Sequence, residues 1–159
     1  MSRIIPNEQS WIGFSAVMPV SLAAPKVSEI NAATDITCLT SSVNASSQGN
    51  AIPTPQLCTL FETSIAGTSS ATFTADFYRD DEADTAWEAM TRGKKGVVYI
   101  SRFGGTGANK KPAVGQKVEV WPVQVTSRTA APLASNTPQT FSVTCSVPVE
   151  PKEDAVVAS

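Results

Sequence analysis

The feature that most constrains this chain is an alternation of apolar and polar residues with a period of two. The pattern is clearest in residues 139–147, where Phe141, Val143, Cys145 and Val147 are separated by serine and threonine. Such a period places successive side chains on opposite faces of a β-strand. We predict strands at residues 10–17, 56–62, 72–78, 96–103, 116–121, 123–126 and 139–147. The chain is therefore predicted to be mainly β.

One segment has the spacing of a helix rather than of a strand. Acidic residues at 80–84 precede apolar residues at helical spacing, which include Trp87 and Met90. Acidic side chains near the start of a helix complement the positive end of its dipole. We predict a main helix near residues 84–92 that buries Trp87 and Met90 against a sheet, and a second short helical turn within residues 28–35.

Two polar, glycine-containing segments, residues 40–55 and 104–112, are predicted to be long loops. Both exceed the roughly two to five residues of ordinary hairpin connections. A chain of 159 residues has the length of a single domain. Within that domain, 1–159, we expect residues 1–10 to form an N-terminal arm. We expect residues 148–159 to form a C-terminal tail that is either flexible or adds a last strand.

The absence of histidine from the sequence restricts its chemistry. Without histidine, Ser-His, Cys-His and His-metal mechanisms are excluded. The glycine- and lysine-rich segment 104–112 lacks the spacing of a phosphate-binding loop, and the acidic residues 80–84 lack the spacing of a calcium loop. We therefore expect no enzymatic activity, no cofactor and no bound metal.

The cysteines indicate a protein that folds in a reducing compartment, and the hydropathy gives no sign of a membrane span. Cys38, Cys58 and Cys145 are odd in number and have no CxxC spacing, so we predict three buried, reduced thiols. The first residues lack the apolar segment of a secretion signal. No stretch approaches the roughly 20 apolar residues of a membrane span, so we expect no membrane insertion.

Charge is segregated along the sequence although the net charge is only −2. Acidic residues dominate up to Thr91, and basic residues follow from Arg92 to Lys111 without an acid between them. Such segregation is typical of a solvated face, or of two complementary surfaces that meet between identical subunits. In the second interpretation, the loop 104–112 projects and reaches the acidic face of a neighbour. The candidate interface residues are Arg92, Lys94, Lys95, Lys110 and Lys111 on one side and Asp80, Asp81, Glu82 and Asp84 on the other.

Several short elements follow one another in order over most of the chain. Pro25-Lys-Val-Ser-Glu-Ile-Asn-Ala-Ala-Thr-Asp-Ile-Thr comes first, and after two central strands the acidic helix precedes the turn Arg92-Gly-Lys-Lys-Gly. Val97-Val-Tyr-Ile-Ser-Arg and Val114-Gly-Gln-Lys-Val-Glu-Val-Trp-Pro-Val follow, and Pro148-Val-Glu-Pro lies near the end. With this order the chain resembles the major tail tube proteins of long-tailed, non-contractile (siphovirus-type) bacteriophages, in the version common among actinobacteriophages.

The resemblance implies a fold and a function. The fold would be two packed β-sheets, sandwich-like or barrel-like, flanked by one α-helix. The function would be structural: copies of the chain would form hexameric rings stacked into a virion tail tube, assembled in the host cytoplasm. The implied partners are a tape-measure protein, a tail terminator and tail-tip proteins. The tube would conduct double-stranded DNA, without reading its sequence, during genome ejection.

Two other kinds of function are compatible with the residues alone. One is a soluble β-sandwich module that binds a small ligand or a carbohydrate, with Trp121 and Tyr99 in its pocket. The other is a different small virion protein, such as a tail terminator, a head–tail connector or a decoration protein. These alternatives differ from the tail tube in whether the purified protein forms long assemblies.

Overall fold

Strands dominate the fold of residues 9–159, the part of the chain that the computed structural model describes. Most of the predicted N-terminal arm, residues 1–10, lies outside the described residues. The elements are β1 Trp11–Ser15, α1 Val27–Asn31, β2 Thr34–Asp35, β3 Thr40–Thr54, β4 Thr63–Tyr78, α2 Thr85–Ala89, β5 Lys95–Ser101, β6 Lys117–Ala130, β7 Thr140–Ser146 and β8 Lys152–Val156. Short 3₁₀ turns lie at Thr37–Leu39 and Ala108–Lys110. No helix within these residues is long and apolar enough to cross a membrane.

All eight strands belong to one antiparallel sheet. Seven follow the order β2-β1-β5-β6-β7-β4-β3, and β8 pairs with the first part of β6. The sheet is open, with β2 at one edge and β3 at the other. The mainly β class flanked by a helix is confirmed, while the two sheets that the resemblance implied are joined by hydrogen bonds into one.

The central strand β5 is buried on both of its faces. Val98 and Ile100 belong to the larger core cluster, which continues along β4, β6 and β7. Val97 and Tyr99 face the opposite way, into a smaller cluster beneath α1 and β8. Alternation along β5 therefore separates two apolar layers rather than core from solvent, as expected for a strand covered on both sides.

Strand β6 holds the two parts of the sheet together. Its residues 117–120 pair with β8 and its residues 124–130 pair with β7, while β5 lies along the other side. Pro122 lies between these two paired stretches. The sequence predicted an edge, a bulge or a bend at Pro122, because proline donates no ladder hydrogen bond. The structure places it where β6 changes partners.

The main helix is shorter than predicted. It comprises only Thr85–Ala89, and Asp80 lies in the segment before it. The Asp80 carboxylate accepts hydrogen bonds from the backbone amides of Glu82 and Ala83, at 2.9 and 3.2 Å, and these bonds lower its pKa. The acidic residues thus fold a turn ahead of the helix rather than forming its first turn.

Two predictions about the middle of the chain are wrong. Of residues 40–55, predicted as a loop, Thr40–Thr54 form the 15-residue strand β3. Residues 56–62, predicted as a strand, form the turn between β3 and β4. The polar composition of β3 hides its structure, because β3 pairs with β4 without burying an apolar face over most of its length. Residues 104–112 do form a loop, and the C-terminal tail contributes β8.

The prediction of three buried thiols is also wrong for two of them. Cys145 is buried in β7, where burial raises the pKa of its thiol to about 12. Cys38 and Cys58 are exposed and free. Cys38 lies on a 3₁₀ turn and Cys58 on the turn after β3. Both positions are at the surface, where connecting segments usually lie.

Candidate assembly surfaces

The longest hairpin of the fold extends beyond the rest of the sheet. Strand β7 pairs with β4 only from Thr72 to Tyr78, so residues 48–70 form a two-stranded ribbon that we call the arm. Every residue of the arm except Thr54 is exposed. At its base, Val43, Ala45 and Ala71 pack against the larger core cluster. The arm is therefore anchored at one end and open to solvent along its length.

The far end of the arm carries large apolar side chains in solvent. We call residues 55–62 the arm tip. Leu57, Leu60 and Phe61 of the tip are 112%, 109% and 77% exposed, and behind them Ile52 and Ile65 face each other across the two strands, also exposed. Five large apolar side chains exposed on one short segment are typical of a site of contact with another molecule. The arm tip is therefore the strongest candidate for an interaction surface in this fold.

Thr54 and Thr63 form the last cross-strand pair of the arm. The Thr54 hydroxyl donates to the Thr63 carbonyl at 2.9 Å, and the Thr63 hydroxyl donates to the Thr54 carbonyl at 3.0 Å. A two-stranded ribbon is marginally stable in water by itself. These reciprocal bonds close the turn that presents the apolar side chains.

Sequence reasoning missed the arm because its strands lack apolar alternation. One signal was present: residues 40–55 are long for a loop, and a long stretch without structure argues against a loop assignment. Leu57, Leu60 and Phe61 of the tip fall within residues 56–62, which the sequence predicts as a strand. Only the pairing of β3 with β4 places them at the end of a hairpin.

The four acidic candidates have different surroundings. Asp84 forms an ion pair with Arg79 at 2.6 Å, and Asp80 accepts the backbone bonds described above. Asp81 and Glu82 are exposed and have no ion-pair partner among residues 9–159. Of the four carboxylates, these two are thus the most accessible to a neighbouring molecule.

The five basic candidates form two groups rather than one. Arg92 and Lys94 lie in the turn between α2 and β5 and Lys95 is the first residue of β5, whereas Lys110 and Lys111 follow the other end of β5. The seven residues of β5 span about 20 Å at roughly 3.3 Å each. The structure therefore places Arg92, Lys94 and Lys95 at the same end of the domain as the acidic segment, and separates the two lysines from them.

The loop that carries Lys110 and Lys111 does not project as expected. It folds back on itself, since the Gly105 and Gly107 amides donate to the carbonyls of Lys110 and Lys111 at 2.8 and 2.9 Å. A Cβ at Gly105 would collide with the Lys111 carbonyl. The Lys111 ammonium also donates to the Asn31 carbonyl at 3.3 Å. The reason is local, because glycine has no Cβ and therefore permits a close backbone approach that the Cβ of any other residue would block.

The aromatic residues suggested for a ligand pocket are in the core. Trp121 and Tyr99 are both 0% exposed. Burial, with Glu29 nearby, raises the pKa of the Tyr99 phenol to about 12. A carbohydrate module needs such rings at its surface, so this alternative is not favoured. Within residues 9–159, no group of three potential metal-ligating side chains is placed to hold a metal ion.

Comparisons with known proteins agree with the architecture. The sequence profile of the family described as phage tail tube protein matches residues 8–159. Among curated proteins no sequence matches the chain.

Solved structures share the fold at low sequence identity. A chain in the virion of a native gene transfer agent particle has a TM-score of 0.58 at 10% identity, with 98% of this chain and 100% of that chain covered. A chain in the tail of an empty gene transfer agent particle with C6 symmetry has a TM-score of 0.59 at 10% identity, with 96% of this chain and 100% of that chain covered. A chain in the six-fold symmetrised baseplate of the anti-feeding prophage has a TM-score of 0.55 at 8% identity, with 96% of each chain covered.

Proposed function

The chain belongs to the phage tail tube protein family and is a structural virion protein of that class, and from this premise we propose that its copies assemble into hexameric rings stacked into a tail tube. The observation that carries the proposal is the arm, which holds five large apolar side chains in solvent. A monomer gains nothing from this surface, whereas a polymer covers it. The six-fold symmetry of two particles that contain the same fold supports the ring size.

An open-ended polymer needs a contact between two different surfaces. A surface that binds its own copy closes a dimer, whereas a head-to-tail contact leaves one free surface at each end. The exposed β2 and β3 edges and the arm give this chain several unlike surfaces. Growth by rings stacked one on another is therefore the assembly that these surfaces support best.

The tube would act as a passive conduit. We propose that it forms around a tape-measure protein in the host cytoplasm, joins a terminator and tail-tip proteins at its ends, and carries double-stranded DNA during genome ejection. A chain with a net charge of −2 and a pI near 5.1 offers little counterion release to DNA, so passage without tight or sequence-specific binding is favoured. No catalytic step belongs to this function.

The test is direct observation of the assembly. The purified full-length chain is concentrated and examined by negative-stain and cryo-electron microscopy, while light scattering follows its mass. We expect rings and tubes with six-fold symmetry and a central channel. A protein that remains monomeric at millimolar concentration, in low and high salt, would contradict the proposal and favour a binding module.

Charged contacts within a ring are proposed to supplement the apolar ones. Copies in a ring are related by rotation about its axis, so residues at the same height along that axis face each other in neighbouring copies. The turn Arg92–Lys95 and the segment Asp80–Asp84 lie at the same end of the domain. The basic turn of one copy can therefore meet Asp81 and Glu82 of the next copy. Each exposed pair contributes only about 0–1 kcal/mol, so these contacts adjust assembly rather than drive it.

Reversal of the basic turn tests this contact. We expect Arg92→Glu with Lys95→Glu to raise the concentration needed for assembly about tenfold, since two attractive pairs per contact become repulsive. The critical concentration is measured by sedimentation, and higher salt should narrow the difference because it screens exposed charges.

Two further variants accompany this measurement. Asp81→Lys with Glu82→Lys, added to the reversed turn, should restore assembly if these carboxylates are the partners. Lys26→Glu with Lys117→Glu changes the net charge equally at exposed positions elsewhere. An equal effect of this control would assign the result to net charge and remove the proposed contact.

A further inference from the structure

A groove lies at the base of the arm, about 45 Å from its tip at roughly 3.3 Å per residue of β3. It has a volume of about 950 Å³ and lies between the start of β3, the 3₁₀ turn that carries Cys38, and the β5–β6 loop. Ile12 and Ile100, paired across β1 and β5, form its apolar floor together with Val43. Lys110 lies at its rim. We call this cavity the acceptor groove.

Most charges of the acceptor groove are already engaged within the subunit. The Asp35 carboxylate accepts hydrogen bonds from the amide and hydroxyl of Thr37, and Arg102 pairs with Glu119 at 2.8 Å. Lys110 is exposed and has no ion-pair partner within the described part of the chain. The groove therefore offers an apolar floor and one available positive charge.

The arm tip has the complementary character. Its eight residues carry three exposed apolar side chains and a single charge, that of Glu62. Two other cavities of the molecule fit it less well. One is lined by Glu150, Glu153 and Asp154 with a single lysine, and another by two glutamates with Lys94. A negatively charged apolar tip is repelled by both.

We infer that the acceptor groove receives the arm tip of a second copy of this chain. The inference rests on the proposed assembly and assigns its contact to two surfaces. Because β3 is extended, the tip of a subunit lies far from its own groove and reaches only that of another subunit. Each copy then has one tip and one groove, which gives the head-to-tail contact that an open-ended tube requires.

The geometry also limits the spacing of the assembly. Strand β3 spans the distance between its own groove and the arm tip, so the axial repeat is expected not to exceed the length of β3, about 45 Å. Phe61, Leu57 and Leu60 enter the apolar part of the groove, and Glu62 lies near Lys110 at the rim.

Two native cysteines make the contact testable in the unmodified protein. Cys58 lies on the arm tip and Cys38 lines the groove, both exposed, while Cys145 is buried. A short bismaleimide is added to assembled tubes, where one thiol adds across each maleimide double bond. We expect a ladder of covalent oligomers on denaturing gels, and peptides linked through Cys38 and Cys58 by mass spectrometry.

Matched variants separate the possible outcomes. Cys38→Ser and Cys58→Ser should each abolish the ladder while tubes still form, and dilute monomer should give no ladder. Tubes in which Cys58 is linked only to another Cys58, or to no cysteine, would overturn the docking position and leave the proposed function intact. A wild-type chain that forms no tubes would overturn the assembly itself and this contact with it.

A charge exchange provides an independent test. Lys110→Glu and Glu62→Lys, each alone, should raise the critical concentration about tenfold, and the two together should restore it, because the pair is rebuilt with the opposite sense. A double variant no better than either single variant would show that Lys110 and Glu62 do not meet.

Discussion

Replacement of Leu57, Leu60 and Phe61 by serine is expected to leave a folded monomer that no longer assembles. These side chains are almost fully exposed in the subunit, so their loss changes the free energy of unfolding by less than about 0.5 kcal/mol each. Burial of a leucine or phenylalanine side chain in a contact contributes about 1.5–3 kcal/mol. The triple variant should therefore raise the critical concentration at least about a thousandfold. Sedimentation and electron microscopy measure this change, and thermal unfolding verifies the fold.

A matched control removes the same kind of surface elsewhere. Val20, Val114 and Leu133 are large apolar side chains outside the arm, with exposed fractions of 87%, 55% and 82%. Their joint replacement by serine should leave tubes with nearly the wild-type critical concentration. Tubes that form normally from the Leu57, Leu60 and Phe61 variant would remove the arm tip from the assembly contact.

Replacement of Trp87 by alanine is expected to lower the free energy of unfolding by about 3–5 kcal/mol. The indole is half-buried and lies between the guanidinium groups of Arg79 and Arg128, whose central carbons are 3.9 and 3.6 Å from the ring centroid. Its ring is nearly perpendicular to that of Phe141, with 5.0 Å between the two ring centroids. Removal of the indole deletes the packing and both cation–π contacts at once. Urea unfolding of the isolated subunit measures the loss.

Two variants accompany this measurement. Arg128→Lys keeps the charge but loses the planar stack and the 2.7 Å bond from Nη1 to the Trp87 carbonyl, so a smaller loss of about 1–2 kcal/mol is expected. Phe103→Ala removes an aromatic ring that is 74% exposed and should change stability by less than about 0.5 kcal/mol. An unfolding midpoint unchanged by Trp87→Ala would show that α2 does not depend on this ring.

Apolar alternation predicted those strands that have one buried face and one exposed face. In β7, Phe141, Val143 and Cys145 are buried while the residues between them are not, as alternation required. The position of Met90 in the core was likewise readable from helical spacing. The extent of α2 was not, because the side chain of Asp80 hydrogen-bonds to the backbone ahead of the helix and competes with a first helical turn.

The assembly surfaces were less accessible to sequence reasoning. The nine charged candidates follow from composition, yet β5 separates Lys110 and Lys111 from Arg92, Lys94 and Lys95, and Asp84 is paired within the subunit. The sequence shows that the arm tip contains apolar residues, but it does not show that they are exposed. Exposure depends on which strands are neighbours, and that pairing joins residues far apart in the chain.

The sequence by itself determined the mainly β class, the exclusion of histidine chemistry and the family. These properties depend on composition, on short-range periodicity and on the order of motifs, which are all local. Only the tertiary structure decided that a polar segment is the strand β3, that an apolar segment is the exposed tip of an arm, and that Ile12 and Ile100 face a groove at its base. Long-range strand pairing fixes these features, because a strand without an apolar face acquires its position only from the partner to which it is hydrogen-bonded.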